Sequence, residues 1–415
     1  MRSPASRLGL SGPAILAVAL AFAAMVGSAP GQSFMIAVFI DDMLKSTGLS
    51  RTVFSALYAA GTIVSAFVSV AIGRYSDRVG LAASWAVVCL GLIGAIMIGS
   101  VASGAILVFI ALSGLRSFGQ GALPLVATIL VARSLGSKRG RGLSAAMFGH
   151  TAAGMALPPL VTLLIVGVGW RSAMQILAAA IAVLILPLAL AVRRVTRAPI
   201  KPDEEGIDDP ARWPEPLRIS RRLKGMEIPT RGVATLLGVI AVPGLILTGL
   251  TFHAVSLLSR NGLDSTESAL ALTVMAGAHA IGVIAAGVLA DRVSPRAMLT
   301  LMTGMLLGGT ALLLSSQTAS AYIAFAVLGI TTGLFLVANG VVWARTYGTH
   351  RLGRIQGLGF AAMISGSAMG PLPLAISRSV FDSYVPGIAA FAGLAGLALT
   401  VTIIRNEPTA PTHVV

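Results

Sequence analysis

Twelve apolar stretches, each about as long as a bilayer is thick, follow one another along this chain and leave little room for a soluble fold. They fall at 14–39, 51–71, 82–101, 104–132, 142–167, 171–192, 232–258, 266–290, 296–316, 319–344, 355–377 and 384–404. A crossing helix takes roughly 20 residues at about 1.5 Å each. In lipid only helices and closed barrels satisfy their own backbone groups, and these Ala, Leu, Gly and Val runs are continuous rather than alternating. An all-α membrane protein is therefore expected. The composition agrees: 11% of residues are charged, where a soluble domain carries about 25%.

An even number of crossings puts both termini on one side. With the N-terminus in the cytoplasm, 24 of the 30 Lys and Arg fall inside, 5 fall outside, and Arg116 lies within the fourth span. Cytoplasmic loops carry the basic excess in such proteins, so both termini are expected to be cytoplasmic in an inner membrane. The net charge of +15 is scattered through short loops rather than gathered in one patch, which argues against nucleic acid. The first stretch is too long for a signal-peptide core and is read as the first span. The single cysteine, Cys89, sits in an apolar run, so no disulfide or cysteine metal site is expected. Apart from Glu267, the second residue of the eighth stretch and taken as lying outside, the spans hold no carboxylate, and they hold no H-x-x-x-H pair and no phosphate-binding G-x-x-x-x-G-K-[ST] loop. No enzyme, catalytic residue, cofactor or ATP-driven pump is expected.

The organisation reads as a six-helix bundle at 1–192, a cytoplasmic linker at 193–231 with a short surface helix around 217–224, and a second six-helix bundle at 232–415. The two bundles repeat one another. ARSLGSKRGRGL at 132–143 aligns with ARTYGTHRLGRI at 344–355, an offset of 212, and GRYSDRVG at 73–80 with GVLADRVS at 287–294, an offset of 214. Parallel six-helix repeats build one class of secondary transporters, with the solute site at mid-membrane where the repeats meet.

On these residues the chain resembles the major facilitator superfamily from end to end. The family's G-x-x-x-D-R-x-G motif is present as Gly73, Asp77, Arg78 and Gly80, and a weaker copy keeps Gly287, Asp291 and Arg292. GLSRTVFS at 48–55, the RG before the fifth span and GWR at 169–171 resemble the branch of monocarboxylate-transporter-like and oxalate/formate-antiporter-like proteins, and RSFGQGAL at 116–123 resembles a bacterial subgroup of it. The resemblance implies two pseudo-symmetric six-helix bundles, alternating access and a monomer. It also implies a cytoplasmic gate at Asp77, Arg78, Asp291, Arg292, Gly73 and Gly80, taken as loop residues whose carboxylates accept from a helix N-terminus or pair with an arginine.

Polar residues present in only one repeat are the candidate solute contacts. Arg116 lies mid-way along the fourth span, while its partner at offset 212 is Leu328. A charge at that depth costs about 2.5–3.5 kcal/mol on insertion scales, so it must face a cavity or a partner. With no Asp or Glu in the spans beyond Glu267 at the outer end of the eighth, an anionic solute is the expected partner; the alternative is a structural arginine held by helix carbonyls. Gln120 lies one turn along the same face, and Gln32, Tyr58 and Asn339 are further candidates. Trp343 reads as a cavity wall or as packing. The branch's substrate-binding arginine in the eighth span falls on Val283 here, and His279, one turn away, is a replacement donor. His279 and His150 are the candidates for coupling to protons. Each polar candidate has a plainer reading as interhelical glue. The expected function is transport of a small organic anion, a carboxylate, with or without a proton. The alternative is an exporter of amphipathic or drug-like compounds by proton antiport.

Overall fold

Pro30 decides the course of the first span. A proline lacks the N–H that an α-helix needs and pushes the residue before it out of the α region. In the computed structural model, which describes residues 12–135, 138–197, 220–223, 226–258, 262–263, 265–348 and 352–404, the helix Gly12–Gly27 gives way to a 3-10 turn at Ala29–Gly31. A second helix, Ser33–Thr47, starts from Gln32 in an extended conformation and ends at the left-handed Gly48. The stretch expected as one helix at 14–39 is thus two, and the second one carries Asp41 and Asp42.

The chain divides into two compact units, Met1–Lys201 with Arg351–Ala361, and Pro202–His350 with Ala362–Val415. The first holds six spans. After the broken first span come Arg51–Val79, Leu81–Ser100, the fourth span within Ala105–Leu135, Arg139–Val168, and a sixth within Trp170–Thr196. The sixth loosens into a π-helical stretch at Ile181–Ile185 before Pro187. The second unit holds Arg231–Phe252 with a short continuation at Ala254–Leu258, then Ser265–Arg292, Pro295–Leu312, Thr318–Tyr347 and Val385–Ile404. The eleventh span is Leu352–Met369 followed by Pro371–Phe381, broken where Pro371 removes a donor. Its first turns group with the first unit.

Eleven of these spans are apolar and long enough to cross a membrane by length and composition, and Pro295–Leu312 is the remaining helix of the twelve. Large apolar side chains such as Phe67, Ile106, Leu163 and Val166 are exposed, as they should be on a surface solvated by lipid rather than water.

Three expectations are corrected. Ser220–Leu223, inside the stretch read as a surface helix, is a β-strand paired antiparallel with Met226–Pro229, with Arg222 opposite Glu227. Only two residues, Lys-Gly, separate the strands in sequence, a spacing typical of a hairpin. Asp77 and Arg78 lie in the last turn of the helix Arg51–Val79, not in a loop. Asp291 and Arg292 likewise end the helix Ser265–Arg292. Residues 198–219 of the linker, Arg2, Arg7, Arg260, Asp264, Arg351 and Arg405 lie outside the described residues.

Candidate functional site

The fourth span changes pitch midway. Between the helices Ala105–Gly114 and Leu123–Leu135, the segment Leu115–Ala122 is π-helical. Wider i→i+5 turns are rare and recur at functional sites. Here the Arg116 carbonyl accepts from Ser65 Oγ at 2.9 Å. The break in the first span rests against this segment so closely that a Cβ on Gly31 would lie 2.6 Å from Gly119 Cα, and one on Gly119 would lie 2.6 Å from Gly31 Cα. Only two glycines permit that approach.

The broken span and the π-helical segment together enclose the Arg116 side chain, which is 2% exposed. Its Nε donates to Thr62 Oγ1 at 3.1 Å, and its Nη1 to Gly31 O and Ser33 Oγ at 3.3 Å each. The guanidinium carbon lies 4.7 Å from the centroid of the Tyr58 ring, and the Tyr58 and Ser33 hydroxyls bond at 2.7 Å. Among the described residues Nη2 makes no hydrogen bond and no carboxylate pairs with the group. Neutral acceptors hold the cation in place without neutralising it, and one edge of its fork stays unspent.

The structure thus brings Tyr58 to Arg116. Gln120 is on the same π-helical segment; its Oε1 is buried and has no hydrogen-bond partner. Gln32 is buried at the break, where its Nε2 donates to Ser28 Oγ at 3.2 Å. His150 sits edge-on to Phe34, ring centres 5.7 Å apart. Sequence reasoning missed Thr62, Ser33 and Gly31. Their one available signal was position: Thr62 lies a turn beyond Tyr58, and Ser33 directly follows the Pro-Gly-Gln of the break.

The Major Facilitator Superfamily profile matches residues 16–371. The chain belongs to that superfamily. It is a multi-pass membrane transporter, not an enzyme. Its fold matches the human organic anion transporter MFSD10 (TETRAN) with a TM-score of 0.70 at 13% identity, covering 94% of this chain and 100% of that one. It also matches FucP, a superfamily transporter in the outward conformation, with a TM-score of 0.64 at 12% identity, covering 95% and 100%. At such identities the likeness is one of fold. No curated protein sequence matches.

At the other candidate positions the transporter shows two different pictures. The motif carboxylate Asp77 is bonded three ways: Oδ1 accepts from Arg133 Nη2 at 2.8 Å and from Gly353 N at 2.9 Å, and Oδ2 accepts from Arg354 N at 2.7 Å. It therefore meets the unsatisfied N–H groups that open the helix Leu352–Met369. Gly73, one turn earlier, lets Gly353 O pass where a Cβ would clash. Gly80 turns the chain at φ +98°, out of reach of other residues without strain. Arg78 and Arg292 are exposed in the last turns of their helices, where a cation complements the helix dipole.

In the second unit, Asn339 is spent on packing. Its Oδ1 accepts from Trp343 Nε1 at 3.1 Å and its Nδ2 lies 3.6 Å from Met363 Sδ. Trp343 is fully buried and stacked on Tyr347. Val283 is fully buried at the close crossing of the eighth and tenth spans near Gly333. His279 Nε2 is buried and has no hydrogen-bond partner.

Proposed function

We propose that this transporter carries a small organic anion, a mono- or dicarboxylate, across the inner membrane by alternating access, with both termini cytoplasmic. One observation carries the proposal: a buried guanidinium fixed by two hydroxyls, one carbonyl and an aromatic face, with no carboxylate beside it and Nη2 unspent. A positive charge so placed in low dielectric attracts a planar anion, and the guanidinium fork gives it geometry. The fold neighbour described as an organic anion transporter adds analogy only. The sequence resemblance to monocarboxylate-transporter-like and oxalate/formate-antiporter-like proteins supports the same class, with Val283 marking a departure from that branch's pattern.

Asp77 is the cytoplasmic latch in this proposal, since its carboxylate ties Arg133 and a helix N-terminus in one place. His279, a buried imidazole with an unpartnered nitrogen, is the group for proton coupling. Purified protein in liposomes, loaded and challenged with a panel of mono- and dicarboxylates, tests the set. Arg116→Ala and Arg116→Lys should each lower exchange at least about a hundredfold with the folded fraction unchanged. Full exchange by the alanine variant would overturn anion pairing. His279→Gln should keep exchange but lose its acceleration by an imposed pH gradient; unchanged acceleration removes His279 from the coupling step.

The Arg116–Gly31 carbonyl bond favours a second reading, in which the arginine is structural and the transporter exports amphipathic compounds. A broad resistance profile in an overexpressing strain, kept by Arg116→Ala, would select it.

A further inference from the structure

The break in the first span does more than make room for Arg116: it starts a helix there. Gln32 is extended, at φ −80° and ψ 150°. The 15-residue helix Ser33–Thr47 begins from it with no side-chain cap and no acidic residue in its first turn. Met35 and Ile36 donate to the Gln32 carbonyl, whereas the Ser33 and Phe34 N–H groups make no hydrogen bond to any described residue. Ser33 is exposed, so this end is not sealed. An uncapped N-terminus carries roughly half a positive charge on its free N–H groups.

A cation is placed against that end. Arg116 Nη1 donates to Ser33 Oγ, in the first residue of the helix, and to the Gly31 carbonyl two residues before it. The arginine is buried, its Nη2 makes no hydrogen bond, and no described carboxylate pairs with it. Cations favour helix C-termini, and carboxylates favour N-termini. Two positive poles therefore meet here with no counter-charge between them. The second repeat has neither pole at the corresponding places: Leu328 replaces the arginine, and Pro243-Gly244 lies inside the continuous helix Arg231–Phe252. The break and the charge occur together.

We propose that the N-terminus of the helix Ser33–Thr47 is the second half of the anion site. A substrate carboxylate is held between Arg116 and the Ser33 and Phe34 N–H groups, with the Ser33 and Tyr58 hydroxyls beside it. This rests on Arg116 as the anion site and gives the break a part in binding. Free N–H groups at a helix start bind anions by direct donation and through the dipole, and broken membrane helices present such ends to anionic solutes. Both halves only donate or attract negative charge, so the group they accept is a bare carboxylate.

Three variants at one position test this with purified protein in liposomes, with lactate, oxalate and succinate as competitors for exchange. Ser33→Ala removes the hydroxyl and keeps the N–H. Ser33→Pro removes both, and proline suits the first position of a helix that follows an extended residue. The apparent affinity for the best competitor should fall at least about tenfold further in the proline variant than in the alanine variant. Equal affinities in the two, with exchange lost in Arg116→Ala, overturn the role of the helix and leave the anion site standing. Ser33→Asp sets a tethered carboxylate between the two poles, so competition should be lost while the melting temperature rises. A lowered melting temperature in that variant overturns the proposal, and this measurement decides if the proline variant is unstable. If none of the three acids competes in the unaltered protein, the anion site itself fails and its second half falls with it.

Discussion

The fourth and tenth spans occupy corresponding places in the two repeats, yet they have been put to different uses. The tenth is one unbroken α-helix, Thr318–Tyr347, with Leu328 where the fourth span has Arg116. Leu328 is 1% exposed and lies over Gly309 of the ninth span, 3.0 Å from where a Cβ would stand. Glycines at 282, 329 and 333 let the eighth and tenth spans pack backbone on backbone, the usual means of helix association where lipid removes the hydrophobic drive. The fourth span gives up regular α-helix over Leu115–Ala122 and packs against a break in its neighbour. Even the break has an unbroken counterpart. Pro30-Gly31 interrupts the first span, whereas Pro243-Gly244 lies inside the continuous helix Arg231–Phe252. One repeat keeps its helices regular and apolar at these positions, and the other is distorted around a charge.

The largest test of that contrast moves the charge. Leu328→Arg would bury a guanidinium where Leu328 now packs over Gly309. On insertion scales this costs about 2.5–3.5 kcal/mol and more where water cannot follow, enough to lower the folding equilibrium constant more than tenfold and with it the melting temperature. Detergent-extracted protein measured by size exclusion and thermal melting reads it directly. An arginine accepted at 328 without loss of stability would mean that the second repeat also offers a polar chamber there.

Much of this difference was visible in the residues. Twelve runs of the right length fixed the helices, and the offsets of 212 and 214 exposed the repeat. Arg116 stood out because insertion energetics make a charge opposite a leucine expensive. What stayed hidden was everything that depends on backbone detail. The π-helical turn leaves no mark in hydropathy, and the Thr62 and Ser33 hydroxyls that hold Arg116 look like any hydroxyls on an apolar helix. Hydropathy ends these helices short, because charged residues at 74–78 and 291–292 resemble a loop, whereas Asp77 in the last turn meets a helix N-terminus. The strand pair at 220–229 leaves no sequence signal because a four-residue element has too little period to show.

The motif-bearing ends of the repeats sharpen the comparison at a smaller scale. In the first, Asp77 accepts from Arg133 and two backbone N–H groups. In the second, Arg345, the counterpart of Arg133, donates to the Ala290 and Val293 carbonyls at the end of the eighth span. Losing a carboxylate that satisfies three donors strands an arginine and two amides, and hydrogen bonds to charged groups contribute about 1.5–3 kcal/mol each. Losing Arg345 uncovers only carbonyls at a helix end, worth about 1 kcal/mol. Asp77→Ala should therefore lower the melting temperature clearly more than Arg345→Ala, and only the first should alter the rate of exchange. Equal effects on stability and rate would mean that the two ends are equivalent.

The smallest effect separates the hold on Arg116 from its function. Thr62→Val keeps the shape of the side chain and removes the acceptor for Nε, while Gly31 O, Ser33 Oγ and the Tyr58 ring stay in place. One hydrogen bond to a charged donor among several is worth about 1–2 kcal/mol, so the apparent affinity for a bound carboxylate should fall by roughly fivefold to thirtyfold with the maximal rate nearly kept. The guanidinium survives in this variant, and only its orientation loosens. A structural arginine would show the opposite split, with melting temperature lowered and affinity unmoved. Because both quantities come from one preparation, the direction of the split decides whether these hydroxyls position a cation for an anion or tie two helices together.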